Sequence, residues 1–86
     1  MEASTKQVAY LEDLKAEAAK KIEAASRGVV LGRDQLIAAH LIVNLPTPTT
    51  SEEAAEMIDA AKGDIKAYSR NHREWAEPIM RAALKN

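Results

Sequence analysis

The stretch TTSEEAAEMIDAAKGDIKAYSRNHREWAEPIM, residues 49–80, decides the fold. Within it Ala54, Ile58, Ala61, Ile65, Tyr68, His72, Trp75 and Ile79 recur at alternating spacings of four and three, the period of a helix that packs along one edge against other helices. Thr50 followed by Glu53 reads as a capping box, and Glu52 and Glu53 lie where a helix N-terminus favours negative charge. A helix from Thr50 to about Glu77 is predicted, roughly 40 Å long at 1.5 Å per residue. Two features oppose its continuity: Gly63 costs about 1 kcal/mol relative to Ala in a helix interior, and Asn71 with Glu74 offers an internal restart. The seam runs through both, so one continuous helix is expected, with Pro78 kinking or ending it and residues 79–85 adding a last turn or two.

Upstream of this segment Pro46 and Pro48 lack amide donors and push their preceding residues towards extended geometry, so residues 44–50 form a stiff connector. A second helix, capped by Asp34 and reaching about Asn44, carries Leu36, Ile37, Leu41, Ile42, Val43 and Leu45 nearly all round, as a centrally packed helix does. HLIVNL could instead be a buried strand, but no partner strand is evident. GVVLGRD, residues 28–34, reads as a buried apolar loop or a short extended segment, with the loop preferred. The first helix starts at Ser4, with Gln7 closing a capping box, and Gly28 is placed to end it. Val8, Leu11, Leu14, Ala18, Ile22 and Ala25 fall within an arc of about 120°. Glu17 with Lys21 and Glu23 with Arg27 are favourable pairs four apart on its wet side.

The 86 residues make one helical domain, 1–86, with an Ala-heavy core that contains one Trp, two Tyr and no Phe. Alanine favours helix but buries little area, so the core is thin. Without cysteine there is no disulfide, thiol nucleophile or thiolate metal site. LIAAHLIV is too short to span a bilayer, and the N-terminus lacks an apolar core, so a cytoplasmic, non-exported protein without membrane partners is expected. The net charge of −1 conceals an asymmetry, with six basic against ten acidic residues over 1–61 and six against three over 62–86. Opposite-sign halves suit antiparallel helix pairing, or an end that meets an anionic partner.

No nucleophile, base and oxyanion site fall together, and the three glycines form no phosphate-cradling loop, so no catalytic or cofactor-binding residue is assigned and a non-enzymatic protein is expected. His40 and His72, the only histidines, have no ligand at metal spacing, so no metal site is assigned. His40 reads as a packed, hydrogen-bonded residue; His72 reads as a packed seam residue or a pH-sensitive contact. Trp75 is either the largest packing element of a thin core or an interface anchor. Lys62, Lys66, Arg70 and Arg73 would project within about 80° of one another on a continuous helix, with Arg81 and Lys85 extending the stripe. They form either a solvated face neutralised by the acidic first helix or a set of phosphate contacts, although Glu74 and Glu77 interrupt the positive field.

STKQVAYLEDL resembles a motif of small helical modules in phage and actinobacterial proteins, some attached to replication or recombination proteins; Thr5, Lys6, Gln7, Tyr10, Leu11 and Leu14 carry the likeness. TTSEEAAEMIDAAK is similar to the second half of such modules, with Ala54, Ile58 and Lys62 at matching places. The resemblance covers roughly the first two thirds of the chain and implies an accessory role near nucleic acid. The expected architecture is an all-α bundle of three to four helices, with the first and the long third packed antiparallel around the second. The expected function is helix-mediated association, with a protein partner or a second copy, through Ile65, Tyr68, His72, Trp75 and Ile79, in a small regulatory protein. DNA binding through the basic stripe is the alternative.

Overall fold

Ser4 caps the first helix from both directions: its Oγ accepts from the Gln7 amide at 3.1 Å, and the Gln7 side chain accepts from the Ser4 amide at 3.0 Å. The computed structural model describes residues 1–85, and among these the chain forms five helices: α1 (Thr5–Ser26), α2 (Arg33–Val43), α3 (Ser51–Lys62), α4 (Ile65–Asn71) and α5 (Arg73–Leu84). The fold is all-α. α1 ends where Gly28 takes φ +98°, a left-handed conformation that suits glycine. The following residues form a loop rather than a strand, but not the buried loop expected: Val29 is exposed and Val30 stands 93% exposed, because no element among the described residues packs over them. Of the two pairs expected along α1, Glu23 and Arg27 form an ion pair.

α2 begins two residues earlier than a cap at Asp34 would place it. Gly32 occupies the cap position, with its amide donating to the Gln35 side chain at 3.4 Å. Asp34 falls inside the first turn, and its carboxylate meets Lys66 rather than its own backbone. α2 is the central element, in contact with α1, α4 and α5, and its Leu41 is completely buried. Burying one such leucine stabilises by about 1.5–3 kcal/mol. Leu11, Leu45, Met57, Ile65, Tyr68 and Ala76 complete a core to which all five helices or their caps contribute. His40 is half-buried, and its ring makes no hydrogen bond among the described residues. Water can serve its nitrogens at that depth, so the hydrogen-bonded partner expected for it is not required.

The largest departure from the sequence expectation lies between residues 62 and 73. The seam does not lie on one long helix: three helices replace it, and the bundle has five helices rather than three or four. Gly63 ends α3, its amide donating to the Asp59 carbonyl at 2.9 Å. Asp64 then caps α4, its carboxylate accepting from the Ala67 amide at 3.0 Å. A glycine followed by a capping aspartate satisfies orphan groups on both sides of a break, which a lone glycine does not. A second break falls at His72 (φ −133°, ψ 52°), next to the restart suggested by Asn71 and Glu74. Pro78 does not end the last helix, which continues to Leu84. Its missing donor would have served the carbonyl of Glu74, an exposed residue of the first turn that water can reach.

The expected antiparallel pairing of the first and third helices is also corrected. The Gln7 side chain donates to the Ser51 carbonyl at 3.3 Å, joining the start of α1 to the start of α3. Farther along, Leu14 and Ala18 share a groove with Ala61. α1 and α3 therefore run in the same sense. The reason is topological: α2 reverses the chain once and the proline connector reverses it again. Residues ahead of α1 reinforce this arrangement, with Ala3 donating to Thr49 and Ser51 donating to Met1 across an isolated bridge between Glu2 and Thr50. Thr50 caps α3 as expected, accepting from the Glu53 amide at 3.1 Å, but the Glu53 carboxylate turns to the amide and hydroxyl of Thr49 instead of closing a box on Thr50.

Candidate binding cleft

The break at His72 gathers side chains that a continuous helix would string out. α4 spans two turns, so Lys66, Ser69 and Arg70 share one of its faces. On α5, Arg73, Glu77 and Met80 share another, at spacings of four and three. These two faces and Ile37 of α2 line an open cleft of about 520 Å³. Ile37 and Met80 are half-buried and pack against the core, giving the cleft an apolar component. Ser69 is only 5% exposed, and its hydroxyl is satisfied by donating to the Lys66 carbonyl at 2.7 Å.

The charges around the cleft are mostly paired. Lys66 lies 2.8 Å from Asp34, whose carboxyl is held below the usual carboxylate range by the hydrogen bond from Lys66 and then by the lysine's charge. Glu77 receives Arg73 at 3.2 Å and Arg81 at 3.7 Å. Arg70 is exposed and has no acidic partner among the described residues. It is the cation at the rim that can meet an incoming anion without first breaking a contact.

The expected basic stripe is thus divided. Lys66, Arg70 and Arg73 come together around the cleft, whereas Lys62, on the far side of the break at Gly63, lies over the ring of Tyr10 at 5.6 Å from its centroid. The expected apolar interface is divided as well. Ile65 and Tyr68 belong to the chain's own core, and Trp75 and Ile79 pack against that core at partial exposure. His72 is exposed, stacks on Tyr68 at 4.1 Å between centroids, and has its Nε2 3.3 Å from a Glu56 carboxylate oxygen. Trp75 stands edge-on to Tyr68 at 5.5 Å. Most of the seam therefore closes inside one chain. The reading of Trp75 as a packing element has a structural counterpart: its indole N–H donates to the Asn44 carbonyl at 3.1 Å.

Sequence reasoning places Glu77 beside the arginines but misses Ile37, Ser69 and Met80 as their neighbours. The spacing of Arg73, Glu77 and Met80 carries the signal, which emerges only when the helix continues through Pro78, a residue that the sequence alone reads as a kink or an end. Burial pushes the Tyr68 hydroxyl up in pKa, with Glu56 and Glu53 adding to the shift. Among the described residues no three His, Asp or Glu side chains form a metal-binding group, and no helix is long and apolar enough to cross a membrane. No family model, curated protein or solved structure matches the chain.

Proposed function

We propose that this chain is a small accessory or regulatory protein, without enzymatic activity, that acts by docking the α4–α5 face on another protein. The cleft carries the reading: it combines half-buried apolar residues with a polar, charged rim, which is the composition of a protein-recognition patch. The interface is centred on Ile37, Arg70 and Met80 rather than on Ile65 and Tyr68, whose burial removes them from the surface. Self-association through the original seam loses support for the same reason. A photo-crosslinking side chain at Met80 tests the reading in cells of the source organism. A discrete protein adduct, absent when the crosslinker replaces Tyr10 and lost with Arg70→Glu, is expected. Equal adducts from both positions, or none from Met80, would refute it.

A second reading, DNA binding, is favoured by the convergence of Lys66, Arg70 and Arg73 on one rim. It is weaker because Lys66 and Arg73 already have carboxylate partners. Phosphate contacts would make affinity fall by about one log unit per log unit of salt for each phosphate neutralised. Titrating a labelled duplex at several salt concentrations separates the two readings.

A further inference from the structure

Resting on the protein-docking reading, we propose that the occupant of the cleft is an acidic amphipathic helix of another protein. An apolar side chain of that helix sits against Ile37 and Met80, and a carboxylate about one turn away meets Arg70. The first support is charge complementarity. Arg70 has no carboxylate partner among the described residues, while its neighbours Lys66 and Arg73 hold Asp34 and Glu77. One incoming carboxylate can take the free guanidinium with two parallel hydrogen bonds and disturb no existing pair. The second support is the cleft itself: an open volume of about 520 Å³ beside two half-buried apolar side chains accommodates an apolar anchor.

Other occupants fit less well. A nucleic-acid backbone would bring phosphates towards Glu77, and the local aromatic rings are engaged, Tyr68 in the core and Trp75 through Asn44. A second copy of this chain offers a poorer surface. Of its exposed apolar residues, Val29 and Val30 lie between Arg27 and Arg33, and Leu84 lies between Arg81 and Lys85, all of the same charge as the cleft's arginines; Tyr10 is covered by Lys62, and Met1 lies outside any helix. Its acidic α3 face, with Glu52, Glu53 and Glu56, has Ala54 and Met57 buried between those carboxylates. Charge complementarity therefore favours another protein as the source of the apolar anchor and the carboxylate.

The test is amide chemical-shift mapping on the isotope-labelled full chain. The probes are a synthetic amphipathic peptide of about 18 residues with leucines on one face and glutamates beside them, its Glu-to-Lys twin, its Leu-to-Ala twin and a short mixed-sequence DNA duplex. The acidic peptide is expected to shift the amides of Ile37, Ser69, Arg70 and Met80, and the two twins to leave them in place. Arg70→Glu should weaken the response about tenfold or more, with Arg70→Ala as the milder variant if the first disturbs folding. If the Lys twin shifts the same amides equally, the acidic assignment falls while protein docking stands. If the duplex alone shifts them, both fall. Shifts that follow the chain's own concentration without any probe would assign the cleft to a second copy, and no shift with the acidic peptide would overturn the inference outright.

Discussion

The indole N–H of Trp75 donates to the backbone carbonyl of Asn44 at 3.1 Å, tying the first turn of α5 to the C-terminal cap of α2. That carbonyl lies at a helix end, where intrahelical donors run out. Trp75→Phe keeps a ring against Tyr68 and removes the donor. Because Asn44 is exposed and its carbonyl can turn to water, the expected loss is about 0.5–1 kcal/mol, read from the urea midpoint at unchanged slope.

Asp64 is the residue that makes the break at Gly63 stable. Asp64→Ala removes the acceptor for the Ala67 amide and should cost about 1 kcal/mol, the ordinary worth of an N-cap. Asp64→Asn should retain most of it. Paired chemical denaturation of the two variants separates loss of the cap from loss of charge.

Asp34 and Lys66 link α2 to the cleft. A depressed carboxyl pKa in the folded state means that the pair is intact above the ordinary aspartate value of 3.8 and is lost as pH falls through the lower folded value. Both side chains are well exposed, so little global stability rides on the pair. Following the Asp34 carboxyl by NMR should show a low titration midpoint that rises towards the ordinary value in Lys66→Met.

Tyr68 gives the opposite dependence. Its hydroxyl is raised above 10.0 by burial, so the unfolded chain releases this proton first. Stability associated with the neutral phenol is complete below pH 10.0 and declines as pH rises from there through the folded value. Thermal unfolding between pH 9 and 11.5 should show a fall in midpoint that is smaller in Tyr68→Phe, about the range where an unperturbed tyrosine ionises.

Local chemistry made much of this architecture legible. The Ser4 and Gln7 box, the proline connector, the Thr50 cap and the all-round apolar character of α2 each depend on neighbours within a few residues, and each has its counterpart in the structure. The break at residues 62–64 escapes a reading that sets the heptad seam against Gly63 alone, because the following Asp64 supplies a cap. The seam is real as burial for most of its length, since Ala54, Ile65 and Tyr68 are interior and Ile58, Ala61, Trp75 and Ile79 half-buried, with His72 the exposed exception; burial at that spacing survives two changes of helix direction. The cleft was legible only as separate charges. Half of its apolar part comes from Ile37, more than thirty positions away in sequence from Arg70, and no periodicity connects the two; the other half, Met80, lies beyond Pro78.

Met80 and Arg70 share one cleft with Ile37 only if residues 49–80 break into three helices of which α4 and α5 fold back on α2. Nuclear Overhauser contacts on the labelled chain measure this directly. The expected result is contact from the Trp75 indole proton to Asn44 and Leu45, and from the Met80 methyl to Ile37, with helical connectivities interrupted at Gly63–Asp64 and at His72. Unbroken helical connectivities from Ala54 to Ile79, without contacts to α2 beyond Trp75, would contradict it and remove the cleft.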